Sequence, residues 1–383
     1  MAGEMIEQTQ VFVQSPDSLT LLLTGDIVLD VEGADHWLSG IAPALRAADL
    51  AIGHLEVPHT RRGSELQGDV PAPGADPANL DALARSGIGA VSLAGNHIAD
   101  CGAEGIADTV ASLDRLGIVH TGAGANLQAA AHAAHLDRKG RRITLLSYNC
   151  VGPEAGWADA QRAGCNYLRM HSMDGRPVAP NTPLLAPTAE ALARLREDIA
   201  AVRDADLVVV ALHKGIVHTP AVLAPYERPL AEAALEAGAD VVVGHHAHIL
   251  RGVELHKGRA LFHGLGNGCV VTRALSPSQD HPARAAWARK RRELFGFEPD
   301  PRYELAPFHP QAVHAALGVV KLDADGQLRM GVIPVHVEPP GRPVCVNDVR
   351  AADIVNYLDR IGEAAGLPPL QWRREGEWLW MCT

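Results

Sequence analysis

The chain is poor in aromatic residues, which make up 4% of its 383 positions against 47% for hydrophobic residues as a whole. A core must then be built mainly from Ala, Val and Leu, and the composition is that of a globular protein. Bases are also scarce: 34 Lys and Arg stand against 45 Asp and Glu, a formal charge of -11. No long basic run offsets that balance, so no nucleic-acid partner is expected. The acidity does not identify a substrate, because a metal or a His cluster can reverse the potential inside a cleft. Long apolar runs are missing as well. The first, Leu19 to Leu23, is too short for a signal-peptide core or a membrane span, so a cytoplasmic protein without a membrane partner is expected. The six cysteines (Cys101, Cys150, Cys165, Cys269, Cys345 and Cys382) form no CxxC pair and no finger spacing. They read as small buried hydrophobes in a reducing compartment, with no disulfide expected even for Cys150 and Cys165. There is no Walker lysine, dinucleotide fingerprint or nucleophile elbow, and Gly122–Asn126 reads as a tight turn.

Short apolar runs are present in number, at Leu19–Leu23, Leu50–Gly53, Ala90–Leu93, Ile143–Leu146, Leu207–Leu212 and Val241–Val243. Ala-rich helical patterns lie between several of them, at Ala42–Ala48, Asn79–Ser86, Ile106–Leu116, Pro187–Val202 and Leu230–Ala237. Strands apolar throughout and alternating with helices predict an α/β fold, its sheet covered on both faces. Later strands are expected at Leu261–Phe262 and Cys269–Val271, and Leu317–Val337 reads as a hairpin around an Asp-Gly turn. Pro71–Gly74 is a turn-rich insertion, Met170–Pro187 a loop or flap, and Ser276–Tyr303 holds a basic helix placed to cap a cleft. The division expected is an N-terminal extension over 1–18, a catalytic domain over 19–340, and a helical, Trp-rich tail over 341–383 whose Trp372, Trp378 and Trp380 pack it on the body.

The polar residues of interest gather where the apolar runs end. They are Asp26, His54 with Glu56, Asn96-His97 with Asp100, His213-Lys214, the pentad Gly244-His245-His246-Ala247-His248, and His263 followed by Asn267. Open α/β folds keep their sites at such carboxyl-terminal strand edges. His213, His246 and His248 supply nitrogen ligands, and Asp26, Glu56 and Asn96 supply oxygen. That mixture suits Zn, Mn or Fe at one or two positions, or Ca where oxygens dominate. Two histidines at alternate positions of an extended segment, as in His246-Ala247-His248, would converge on one ion. His97 and Asp100 stand three apart, so a helix beginning after Asn96 would let the carboxylate orient the imidazole as an acid or base. His54 and His263 are further acid–base candidates. Lys214 could attract a phosphate or carboxylate, whereas His218, His245 and His256 read as peripheral, His245 as an outer partner of the ligands.

Taken together, Thr24-Gly25-Asp26, His54-Leu55-Glu56, Gly95-Asn96-His97-Ile98-Ala99-Asp100-Cys101-Gly102, His213-Lys214-Gly215, His246-Ala247-His248 and Leu265-Gly266-Asn267 resemble the bacterial capsule-synthesis, CapA-like family. The resemblance runs from about Leu19 to Val337 and implies a calcineurin-like metallophosphoesterase fold of layered sheets flanked by helices. It implies that Asn96, His213, His246 and His248 are metal ligands and that His97 works on the substrate. The chain departs from the pattern where Asp26-Ile27-Val28 lacks the usual Asp-x-His, where the bridging Asp motif has no match, and where His54 replaces a common Asn. One surviving metal site, or a weak oxygen-rich one, is therefore expected. Within the family, the chain resembles the peptide epimerases of lasso-peptide biosynthesis. That implies a divalent ion (Ca, Mn or Zn) and a ribosomal precursor peptide as substrate. His97 with Asp100, and a second pair built on His54 or His263 with Asp26 as the candidate carboxylate, would invert a C-terminal Trp α-carbon. The alternatives are a hydrolase of phosphoester or amide bonds and a non-catalytic polymer-binding or assembly protein.

Overall fold

The computed structural model describes residues 18–66, 73–180 and 182–382. The expected N-terminal extension lies outside the described residues except for Ser18, as do the first two residues of the Pro71–Gly74 insertion.

Two sheets carry the fold. The first has ten strands, and its parallel half runs through Leu19–Asp30, Leu50–Leu55, Ile88–Ser92 and Val119–Thr121. Asn267–Thr272 lies parallel to the carboxyl half of Leu19–Asp30. His314–Leu322 pairs antiparallel with its amino half and with Leu328–Glu338, the hairpin expected at the Asp-Gly turn. The second sheet has six strands in the order Val253–His256, Arg259–Phe262, Val241–His245, Leu207–His213, Arg141–Asn149 and Ala134–Arg138. The result is a mixed α/β fold of layered sheets and helices.

The period-2 alternation of a strand explains the layering. Leu19, Leu21 and Leu23 share one core with Ile143, Leu145, Val209, Val241, Val243 and Phe262, so the two sheets pack face to face. The intervening residues, among them Leu22, Leu146, Val208 and Val210, join the core that also holds helix residues Leu45, Leu83, Ile106, Leu113, Leu195 and Leu230. Each sheet is apolar on both faces because one faces the other sheet and one faces helices, and each fully buried Leu or Val contributes about 1.5–3 kcal/mol. Helices fall close to the expected ranges, at Ala42–Ala47, Leu80–Ser86, Gly102–Leu116, Ala189–Ala201 and Glu227–Ala237. Thr188 caps one by accepting from the Ala191 N–H at 3.2 Å.

The tail joins the body. Its helix, Val349–Ala364, buries Ile354, Tyr357 and Ile361 in the inter-sheet core. A hairpin of Gln371–Glu375 and Trp378–Cys382 then adds to the edge of the first sheet through Gly331↔Trp380. Trp380 is buried under the Arg329 guanidinium at 4.1 Å and donates to Glu375 at 2.8 Å, so the tryptophans pack the tail.

Lys214 is not a substrate-facing cation. It is fully buried and donates to Glu227 at 2.9 Å, while Arg251, equally buried, pairs with the other Glu227 oxygen at 3.2 Å. Burial pushes Glu227 up, but Lys214 and Arg251 outweigh it and bring it down from 4.5 to about 2. A depressed acid stabilises the fold fully above about 4.5 and loses that contribution as pH falls toward 2. Glu227→Gln leaves two buried cations short of their counter-charge, so it is expected to cost about 3 kcal/mol in urea unfolding at pH 7. The deficit should shrink in the acid range; a deficit constant with pH would show that the charge is not what matters.

Candidate metal centre

Strand register assembles the site. Asp26 lies opposite His54 on one side and Asn267 on the other, and His54 lies opposite Ser92. In the second sheet His213 lies opposite His245. Both strand groups end on the same edge, and two bonds join them there. The His245 ring approaches the Thr24 carbonyl at 3.1 Å, and the His246 N–H donates to Asp26 Oδ1 at 3.1 Å. The Leu19–Asp30 strand changes register around Asp26, and at Gly25 a Cβ would stand 1.8 Å from the Gly266 carbonyl oxygen. Only Gly allows that close approach.

Two sets of donors converge. Asp26, His54 and His213 bring ligand atoms within 4.8 Å of one another, and so do Asp26, Glu56 and His248. Asp26 belongs to both. Asn96 and His246 join the first set, with His213 Nε2 at 2.7 Å from Asn96 Oδ1 and 3.1 Å from His246 Nδ1. The sequence offered no match to the bridging-Asp motif and led to an expectation of one surviving site or a weak oxygen-rich one. The structure gives Asp26 the shared position, where it can face two ions.

These residues fit a divalent metal. The His54 Nε2 and the second Glu56 oxygen are buried without a hydrogen-bond partner, and such groups are costly unless something binds them. Burial pulls His54, His213 and His246 down, which keeps them in the neutral, ligating form. Burial, with Glu56 beside it, pushes Asp26 up. Burial would also lower His248, but Glu56, 3.1 Å away, and Asp26 outweigh it and raise the ring to about 9; a cation held between the two carboxylates would take the place of that proton and free the ring nitrogen to ligate. A cation among two carboxylates is what the second set favours. The nitrogen-rich first set suits Zn or Mn, and the oxygen-richer second suits Mn or Ca.

The pentad acts through a different geometry from the extended one expected. The strand ends at His245, and His246 and His248 have φ of 89° and 51°. Left-handed backbone at two non-Gly residues is strained and concentrates at functional sites. His245, the expected outer partner, stacks on His54 with centroids 4.6 Å apart. His97 and Asp100 do pair, Nδ1 to Oδ2 at 2.7 Å, but on a turn that precedes the helix, which starts only at Gly102. His97 borders a small cavity of about 60 Å³ together with Glu56 and His248.

Two acid–base candidates take other places. His54 falls among the candidate donors, its Nδ1 held by Ser92 Oγ at 2.8 Å. His263 is buried behind the centre, 2.8 Å from Glu254 and 3.5 Å from Lys214 Nζ. Ser92, and the role of Asn267, 3.0 Å from His248 Nδ1, were missed. Their signal was position: each ends or begins a strand beside a named ligand. Ser92→Ala or Asn267→Ala is expected to lower metal affinity 10- to 100-fold, as loss of a ligand's orienting partner typically does. Titration with a competing chelator measures it, and unchanged affinity would show the partners to be idle.

A family model described as "Bacterial capsule synthesis protein PGA_cap" matches residues 20–270, which include all the converging donors and His97. "Capsule biosynthesis protein CapA" of Bacillus anthracis is 26% identical over 267 residues, covering 66% of this chain and 59% of that protein. "PGA biosynthesis protein CapA" of Bacillus subtilis is 28% identical over 271 residues, covering 68% and 66%. The chain thus spans about three fifths to two thirds of the length of these relatives. Among solved structures, the calcineurin-like phosphoesterase YfkN of Bacillus subtilis matches with a TM-score of 0.36 and 11% identity, over 91% of this chain and 99% of that one. The match to the family model extends over more than half of the sequence, and the chain belongs to the bacterial capsule synthesis protein family.

Proposed function

We propose that the chain is a metal-dependent hydrolase of phosphoester or amide bonds, built on a calcineurin-like arrangement of two facing sheets. The observation that carries this reading is the pair of donor sets sharing Asp26 beside the His97–Asp100 pair. A divalent ion bound there supplies Lewis acidity to the scissile group and to water. The protein's own part is geometric and protonic. Ser92 and Asn267 fix the ring orientations of His54 and His248. Asp100, itself buried, holds the His97 Nδ1, which leaves Nε2 as the nitrogen able to pass a proton to the leaving group.

Epimerisation of a peptide α-carbon is the second reading, favoured by the same His97–Asp100 pair. It needs a base on each face of that carbon, and the second pair expected from His54 or His263 is not available. His54 stands among the candidate donors, and His263 is buried behind them, between Glu254 and Lys214. Hydrolysis needs only one such group. The test is an assay of Mn- or Zn-loaded protein on bis(p-nitrophenyl) phosphate and on a capped peptide amide. A parallel incubation of a Trp-terminated precursor peptide is run in deuterated water. Cleavage supports the hydrolase; α-deuterium without cleavage replaces it with the epimerase; neither reaction leaves a binding or assembly protein.

A further inference from the structure

An open cleft of about 540 Å³ adjoins the metal centre and plays no part in the chemistry above. Three separate segments wall it: the hairpin of Met170–Ser172 and Leu184–Pro187, the loop after His213, and the helix Arg291–Phe295. His246, one of the converging donors, lines it, and so does His218. His218 is also at positive φ, 56°; its N–H donates to the Ala247 carbonyl at 2.8 Å, and its ring sits among Phe295, Phe297 and Phe308. The cleft is therefore continuous with the loop that carries His246 and His248.

Its chemistry is one-sided. Six large apolar side chains are exposed among the described residues, and four of them line this cleft: Met173 at 65%, Leu185 at 39%, Ile216 at 42% and Leu294 at 50%. A fifth, Val222, lies on the same loop. None of the described lining residues is Lys, Arg, Asp or Glu. Contiguous exposed apolar surface marks a binding site, and a charged group placed there would lose water without gaining a partner. The wall is also preformed. Buried Arg251 reaches the Ile216 and Val222 carbonyls, and Tyr226 accepts the Gly215 N–H at 2.8 Å, so the loop that presents Ile216 is anchored from beneath.

We propose that this cleft binds a large, uncharged apolar group of the substrate, aliphatic or aromatic, seating the reacting bond at its His246 end. The assignment rests on the reading of the metal centre as the hydrolytic site, but it is tested by binding alone. The neutral fluorophore N-phenylnaphthylamine is titrated into the protein and displaced with capped tripeptides of Leu or of Glu. The expected result is displacement by the Leu peptide and not by the Glu peptide. Ile216→Asp or Leu294→Asp should weaken fluorophore binding about tenfold, the equivalent of one exposed-to-buried apolar side chain. Val349→Asp, at an exposed apolar position outside the cleft, should leave it unchanged. Equal displacement by both peptides, or binding indifferent to the cleft variants, overturns the proposal. Apolar selectivity in a protein that cleaves neither phosphoester nor amide upholds the cleft and removes the hydrolase reading. Cleavage without apolar selectivity does the reverse.

Discussion

Asp26→Asn is expected to abolish activity, by about 10⁴-fold or more, and to strip the protein of bound metal. The size follows from position. Asp26 is the one carboxylate that belongs to both donor sets, so a single substitution weakens both. It is buried, and its Oδ1 accepts the His246 N–H, so it also ties the second sheet's ligand loop to the first sheet. An amide of the same shape keeps an oxygen but loses the charge that a buried cation needs. A loss of 10⁴ corresponds to about 5.4 kcal/mol of barrier, within reach of a metal's contribution to charge stabilisation. Metal analysis and initial rates on the same preparation check it. A variant that retained full metal and activity would show that Asp26 is structural and that the donor sets do not bind ions.

His97→Asn is expected to cost about 10³- to 10⁴-fold in turnover while sparing metal content. General acid–base catalysis is worth 10² to 10⁴, and the upper half applies because the His97 ring is already oriented by a buried carboxylate. The residue lies beside Glu56 and His248 at the small cavity but in neither donor set. Asp100→Asn should reproduce much of the loss, since an amide in its place no longer holds the imidazole in the same tautomer. His246→Asn, by contrast, should lower metal content and activity together. Loss of metal from the His97 variant would move that residue from acid–base work to coordination.

Much of this was legible in the sequence because it is local. Alternating short apolar runs and Ala-rich segments indicate strands and helices, and a strand buried on both faces reads as continuously apolar. The position of Asp, Asn and His just past those runs indicates a site at one sheet edge. The partnership of His97 and Asp100 was legible from a spacing of three, although the turn that achieves it is not the helix expected.

What tertiary structure decided is everything that depends on which strands are neighbours and in what register. His54 is an acid–base candidate by type; register with Asp26 and Ser92 places it in a candidate donor set instead. His263 is equally plausible by type, yet the chain brings it against Glu254 and Lys214. Lys214, beside a ligand in sequence, points into a buried ion network because alternate residues of an extended chain face opposite sides. The shared role of Asp26 and the apolar cleft beside His246 join residues more than a hundred positions apart. Side-chain type and local period sufficed to place a candidate metal site at a strand edge. Long-range pairing, which no local pattern encodes, determined which groups converge as candidate donors, which stand outside those sets, and what kind of surface adjoins them.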